Sequence, residues 1–413
     1  MTPSTVKGRP AVTVTGSHPH GANPAVNDAS AVTRVLTNDF GPRTGGIQTF
    51  VHGLVERLPR GSVIVYTSQQ GDTKEYDQWW LDTYGVQVLR DRAKLLLPTP
   101  RVLWNVRRLM KSQEPENLVF GAAAPLAIAA KFLKTNRVVA LTQGHEIWWA
   151  KVPPFNLFMR LIGNSVDHLT YLGDFTKNGI SKALSEGGKA KLIQIAPGID
   201  TVKFQPIDAR DLRRELGIAY KDVIVSVGRL VPRKGHDTLI KALPTILRAL
   251  PSAHLLLVGT GPYHGKLQNL VSERKLEDHV TFAGRVPDED LVQYICAGDI
   301  FAMPSRTRLA GLEVEGLGIA YLEASACGIP VLAGNSGGAP DAVHNGVTGL
   351  VVDGFNVNEV ALGVIKLLSG DRHAMGRAGR QWAVANWDWS IWADRFKALL
   401  EVDRSRARER SAP

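Results

Sequence analysis

Glu315-Gly-Leu-Gly-Ile-Ala-Tyr-Leu-Glu323, continuing as Ala-Ser-Ala-Cys-Gly-Ile-Pro-Val-Leu-Ala-Gly334, sets two acids on either side of a glycine-punctuated helix start. Were 315–323 one helix, eight steps of roughly 100° would leave the carboxylates about 80° apart. Gly316 and Gly318 would also weaken it. The spacing instead predicts Glu315 in a loop, a helix from near Ile319, a turn at Gly328-Ile-Pro330 and a short buried strand from Val331. Loop, helix and strand form an α/β unit with its ligand edge exposed. Free amides and the positive end of the helix dipole suit a diphosphate, while carboxylates accept hydrogen bonds from neutral hydroxyls. A nucleotide sugar meets both demands. The plain alternative is a pair of solvated helix glutamates with no role.

Working outward, Gly228-Arg-Leu-Val-Pro-Arg-Lys-Gly235 follows a predicted strand and precedes a helix. Arg229 can fork onto a diphosphate and Lys234 can add a point charge, together offsetting the charge of a departing nucleoside diphosphate. Stray surface cations are the alternative. Gly259-Thr-Gly261-Pro262 resembles the start of a dinucleotide fingerprint but lacks its third glycine. It leaves open a nicotinamide-dependent oxidoreductase, or simply a tight strand-to-helix turn.

The same alternation fills the whole chain. Strands are predicted at 35–37, 62–67, 117–120, 138–141 and 168–172, and again at 223–227, 254–258, 280–283, 300–303 and 331–333, with helical patterns between them. A break at Ile195-Ala-Pro-Gly-Ile-Asp200, followed by Pro206, places a hinge near 197–206. The expected fold is α/β, two Rossmann-like doubly wound domains facing across a cleft. Its parts are a disordered tail over 1–32, a first domain over 33–200, a second over 201–385, and a C-terminal segment, 386–413, with Trp387, Trp389 and Trp392 near the start of a helix that either packs across the junction or is a simple capping helix.

A chain of 413 residues suits two domains rather than one, and 44% apolar with 21% charged residues is ordinary for filled cores. No apolar run reaches the ~18 residues of a membrane span. Cys296 and Cys327 stand in apolar helical settings and read as buried free thiols. The charge is uneven: residues 1–200 hold 23 Lys and Arg against 15 Asp and Glu, a net of +8, out of +10 for the chain. A basic first half suits an anionic lipid surface, an acidic small molecule or nucleic acid. From Thr99 to Lys111 the pattern fits a basic amphipathic helix, which either lies on an anionic membrane or turns its stripe to its own core. Trp148 and Trp149 add a candidate interfacial aromatic site. Thr142-Gln-Gly-His-Glu146 follows a first-domain strand and turns His145 to the cleft from the opposite wall, unless that histidine is merely structural.

Taken together, Thr37-Asn-Asp-Phe40, Gly45-Gly-Ile-Gln48, Phe120-Gly-Ala-Ala-Ala-Pro-Leu126, Gly144-His-Glu146, Arg229-Leu-Val-Pro-Arg-Lys-Gly235, Phe301-Ala-Met-Pro304, Val314-Glu-Gly-Leu-Gly318 and Asn335-Ser-Gly-Gly-Ala-Pro340 closely resemble the retaining glycosyltransferases of family four, with the two-domain GT-B fold. Within that family the chain is most similar to actinobacterial mannosyltransferases that use GDP-mannose to extend phosphatidylinositol monomannoside through an α-1,6 link. The resemblance implies that Arg229 and Lys234 hold the diphosphate, Glu323 the ribose hydroxyls and Glu315 the mannose hydroxyls. Amides of Gly45, Gly46, Leu317 and Gly318 complete the donor site, and Gly284, Arg285 and Val286 line the guanine. His145 lies beside the transferred sugar, with Asp39 and Gln48 near the acceptor. It further implies retention without an enzyme nucleophile: the acceptor hydroxyl attacks the face the diphosphate leaves, and the leaving phosphate takes its proton. No tightly bound cofactor is expected; magnesium is compatible with the motifs and not required by them. The expected partners are GDP-mannose, a phosphatidylinositol mannoside and an anionic membrane surface, with no nucleic acid, at a cytoplasmic site on the inner face of the cell membrane. The chain departs from the family pattern at Gly41, at Gln143 and at Leu309-Ala310, which replaces a more glycine-rich stretch.

Overall fold

The structure is a computed structural model that describes residues 32–42, 45–112, 117–133 and 135–401. The tail expected over 1–32 therefore lies outside the described residues, Val32 excepted, as do Arg43, Thr44 and residues 402–413.

Seven strands build the first sheet: β1 (Thr33–Thr37), β2 (Val63–Ser68), β3 (Gln87–Asp91), β4 (Asn117–Phe120), β5 (Arg137–Ala140), β6 (His168–Tyr171) and β7 (Leu192–Gln194). All pair in parallel, in the order β3-β2-β1-β4-β5-β6-β7. A second parallel sheet of six comprises β8 (Asp222–Val227), β9 (Ala253–Val258), β10 (Val280–Gly284), β11 (Ile300–Met303), β12 (Val331–Gly334) and β13 (Gly349–Val352), in the order β10-β9-β8-β11-β12-β13. Strand order reverses beside the first strand of each sheet, between β1 and β4 and between β8 and β11. A crevice opens there, beyond the strands' carboxyl ends.

The sheets are apolar on both faces because helices cover both. Leu118 and Phe120 of β4 join Val102, Val106, Met159 and Ile162 on one side, while Val119 between them joins Phe50, Leu54 and Trp80 on the other. The period of two along a strand sorts the side chains. In the second sheet Val223, Val225 and Val227 face one layer, and Ile224 faces Leu239, Leu243 and Val360 in the opposite one.

The helix Pro100–Ser112 uses its apolar stripe within this scheme: Val102, Val106 and Met110 are buried against the first sheet. The membrane-lying reading of that stripe is thereby corrected, since the face that would enter lipid is already covered by protein. Its cations are partly engaged as well. Arg101 makes a two-pronged ion pair with the buried Asp91, at 2.8 and 3.0 Å, and Arg107 donates to the Phe132 carbonyl.

Past residue 386 the chain returns across both halves. Trp387 and Trp392 pack into the core of the second sheet, whereas Trp389, Phe396, Leu399 and Leu400 pack beneath the first. Trp389 stacks on Phe50 with ring centres 6.4 Å apart, and the Arg57 guanidinium lies 4.7 Å from its ring. Gly198 makes room for it, for a Cβ there would come within 2.5 Å of Trp389 Cα. The linker is pinned to the same segment by Ile199 N–H to Trp387 O, 2.8 Å, and Trp389 N–H to Ile199 O, 3.1 Å. Cys296 and Cys327 are free thiols beside this linker, Cys296 Sγ donating to Gln205 O at 3.6 Å.

Candidate active site

The decisive segment folds as loop, turn and helix, the helix spanning Ile319–Ala326. Gly318 caps it at φ 87°, a left-handed conformation that strains residues with a Cβ, and a Cβ there would lie 2.4 Å from the Tyr321 ring. Tyr321 anchors the first turn from below, its hydroxyl bonded to Met303 O at 2.7 Å and to Ser305 Oγ at 2.8 Å.

Glu315 lies in the preceding loop and is buried. Its Oε2 meets Lys234 Nζ at 2.8 Å and Arg233 Nη1 at 3.1 Å, and Arg233 also donates to Val314 O. Burial alone would raise the Glu315 pKa; Lys234 and Arg233 outweigh it and leave the group below its ordinary value, so it is ionised. Its backbone is held by the loop after β12: Glu315 N–H to Ser336 Oγ at 3.3 Å, and Gly338 N–H to Glu315 O at 2.8 Å. Gly337 and Gly338 permit that approach, since Cβ atoms there would fall 2.1 Å from Glu315 O and 2.2 Å from Gly316 O.

Glu323, further along the helix, behaves differently. Burial pushes its pKa up to about 7, opposed by Lys203, reinforced by Asp288 and opposed again by Lys234. Arg229 is exposed after β8 and makes no ion pair among the described residues. The ends of β8, β9 and β10 line up beside it: Gly228 N–H donates to Val258 O, and Gly259 N–H to Gly284 O at 2.7 Å. Gly284 turns at φ 71°, with Arg285 exposed and Val286 packed on the core. The reason for Gly259 is now visible, for a Cβ would sit 2.1 Å from Gly228 O. Close approach of two strand ends, rather than a dinucleotide fingerprint, requires it, and the oxidoreductase reading loses its one sequence feature.

On the facing wall, β5 delivers Thr142–Glu146. The fully buried Glu146 carboxylate accepts from Gln143 N at 2.8 Å and Gly144 N at 3.1 Å through Oε2, and its Oε1 lies 3.3 Å from His145 Nε2. His145 itself is exposed, its Nε2 also 3.2 Å from Ala124 O. Asp39 accepts from Gln48 Nε2 at 3.0 Å. Burial raises its pKa, the nearby His145 lowers it and Glu146 raises it. Gly45 precedes the helix Gly46–Val55, and Gly46 has nothing within 4 Å of a built Cβ.

The two walls nearly touch. A Cβ on Gly144 would lie 4.0 Å from Gly316 Cα, and one on Gly316 3.9 Å from Gln143 O. A further bridge runs from Phe175 N–H in the first half to Asp341 Oδ2 in the second, 3.2 Å. Glu315, Lys234, Leu317 and Gly318 thus share one wall; His145, Asp39 and Gln48 share the other. Sequence reasoning gave no role to Ser336 or Asp341, and touched Arg233 and Glu146 only as polar neighbours of Lys234 and His145. The diglycine at 337–338 was the available signal for Ser336, because adjacent glycines at a strand end mark a close backbone approach.

Among the described residues no helix is long and apolar enough to cross a membrane, and no three His, Cys, Asp or Glu side chains converge as metal ligands.

Comparison with known proteins agrees with this geometry. The family Glycosyl transferases group 1 matches residues 208–382. The GDP-mannose-dependent alpha-(1-6)-phosphatidylinositol monomannoside mannosyltransferase of Mycolicibacterium smegmatis is 43% identical over 90% of this chain and 98% of its own. The GDP-mannose-dependent monoacylated alpha-(1-6)-phosphatidylinositol monomannoside mannosyltransferase of Corynebacterium glutamicum is 40% identical over 91% of this chain and 99% of its own. Among solved structures, Anabaena HepE in complex with UDP superposes with a TM-score of 0.73 at 20% identity, over 89% of this chain and 99% of that one, which shows the shared two-domain fold.

Proposed function

Since the chain belongs to the group 1 glycosyl transferases, we propose that it is a retaining α-mannosyltransferase that carries mannose from GDP-mannose to phosphatidylinositol monomannoside through an α-1,6 link. The observation that carries this reading is the Glu315 wall, a buried ionised acid with two cations at a capped helix start, in a chain that matches named mannosyltransferases along nearly their whole length. Arg229 and Lys234 meet the diphosphate, with the amides of Leu317 and Gly318. Glu323 accepts from the ribose hydroxyls, and Gly284, Arg285 and Val286 border the base. Glu315 accepts from mannose hydroxyls while Lys234 and Arg233 keep it charged. Gly45 and Gly46 close the donor site from the other wall, where Asp39 and Gln48 orient the acceptor and His145 stands beside the transferred sugar.

Chemically, the cations stabilise the diphosphate as the glycosidic bond breaks, and the leaving phosphate takes the proton of the attacking hydroxyl. Glu146 is committed to the backbone of its own loop and is unsuited to act as a nucleophile. The acceptor is presented from an anionic membrane surface at the inner face of the cell membrane. Product analysis with a panel of nucleotide sugars and extracted membrane lipids tests the assignment. Turnover with GDP-mannose and mannosylated phosphatidylinositol is expected, and transfer only to a different acceptor would refute it.

A further inference from the structure

Immediately beyond His145, the helices Glu146–Lys151 and Phe155–Ser165 form a tip of packed rings. Trp148 and Trp149 each lie 4.9 Å from Phe155, and Trp149 lies 6.4 Å from Phe158. The rings support one another, yet Trp148, Leu157 and Phe158 remain exposed, Leu157 by 64%. Lys151 and Arg160 are exposed beside them. From the other wall of the cleft, the loop at 309–312 approaches the same tip, a Cβ on Gly311 falling 3.6 Å from Lys151 Nζ. That loop contributes two further exposed leucines, Leu309 at 60% and Leu312 at 62%.

Leu309 is the informative residue. It takes φ 50°, a left-handed conformation in which a leucine is strained, and its side chain stays mostly exposed, at 60%. Exposed aliphatic and aromatic side chains edged by cations, on both walls of one cleft and adjoining the residue beside the transferred sugar, match an anionic lipid in chemistry: phosphate at the cations, hydrocarbon at the rings.

We infer that this rim, formed by Trp148, Leu157 and Phe158 on one wall with Leu309 and Leu312 on the other, seats among the acyl chains of a lipid surface and so sets the depth at which the acceptor headgroup enters the cleft. The inference rests on the lipid-acceptor reading above. It is separate from the helix Pro100–Ser112, whose stripe is committed to the core.

The test uses the full chain, vesicles of phosphatidylcholine with phosphatidylinositol, and two acceptors: the diacyl mannoside in those vesicles and its water-soluble deacylated form. Leu157→Asp is expected to lower vesicle partitioning and kcat/KM for the vesicle acceptor about 10-fold, as loss of partial burial of one leucine implies, with kcat/KM for the deacylated acceptor unchanged. Leu309→Gly relieves the backbone strain, so it is expected to keep or raise the melting temperature while still weakening vesicle binding. Wild-type partitioning by both variants, or equal losses on both acceptors, would overturn the inference. Should the wild-type protein use neither acceptor, the mannoside reading fails by itself, and the vesicle measurements still decide the rim.

Discussion

Lys234 Nζ lies 2.8 Å from Glu315 Oε2, so the cation assigned to the diphosphate and the acid assigned to the sugar neutralise each other. Each is nearly buried, and neither charge is exposed at the cost of the other.

Removing one partner therefore affects folding as well as transfer. Glu315→Ala strands Lys234 and Arg233 and is expected to abolish transfer and lower unfolding free energy by about 3 kcal/mol, the cost of breaking a buried pair. Glu315→Gln keeps the shape and a hydrogen-bond acceptor, and should lose less stability while still transferring poorly. Urea denaturation beside a GDP-release assay separates the two losses.

Arg229 presents the opposite case. Exposed and without an ion pair among the described residues, it is proposed to serve the ligand rather than the fold. Arg229→Ala is expected to weaken GDP by about 10- to 100-fold, the loss of one or two charge-assisted hydrogen bonds, with the denaturation midpoint unmoved. Calorimetric titration with GDP measures it, and unchanged affinity would remove Arg229 from the donor site.

The ribose-binding role proposed for Glu323 would make donor binding depend on pH. Burial pushes its pKa up to about 7, and the ionised carboxylate accepts more strongly from ribose hydroxyls than the neutral acid does, so GDP affinity should rise through neutrality, by up to about 10-fold from pH 6 to pH 8. Stability runs the other way. A carboxyl whose folded pKa is raised holds its proton longer in the native state, so its contribution is complete below the unfolded value of 4.5 and lost as pH rises through about 7. Glu323→Gln should flatten both profiles; a persistent affinity slope in that variant would assign it to another group.

Trp389 fixes the last helix under the first sheet. Trp389→Ala is expected to cost about 3–5 kcal/mol through the cavity left against Phe50 and Gly53. Thermal unfolding followed by tryptophan fluorescence should show the first half melting earlier, and a single unshifted transition would contradict this.

Much of the fold was legible because each central strand is a short apolar run bounded by turn residues. Val223–Val227 is read within β8, Ile300–Met303 coincides with β11, and the helix from Ile319 begins where Gly316 and Gly318 forced the break. Three strands carried no such signal. β3, β7 and β13 lie at or near the outer margins of their sheets, and β3 and β7, half-buried along most of their length, include Gln87, Arg90 and Gln194 among their residues. The stripe of Pro100–Ser112 was ambiguous for a related reason: the same periodicity serves lipid and core alike, and only packing on Leu118 and Phe120 decides. In the site, loop chemistry placed Glu315, Lys234 and His145 on their walls. The ion pairing of residues 82 apart, Arg233 and Glu315, depends on how two loops meet, which local pattern does not encode.

The crossing of the last helix has a consequence for biosynthesis. Phe50 and Leu54 emerge from the ribosome more than three hundred residues before Trp389, Phe396 and Leu399, which cover them. The first half therefore cannot finish its core in vectorial order, and its underside stays open to chaperones, or to other nascent chains, until the second half has been translated.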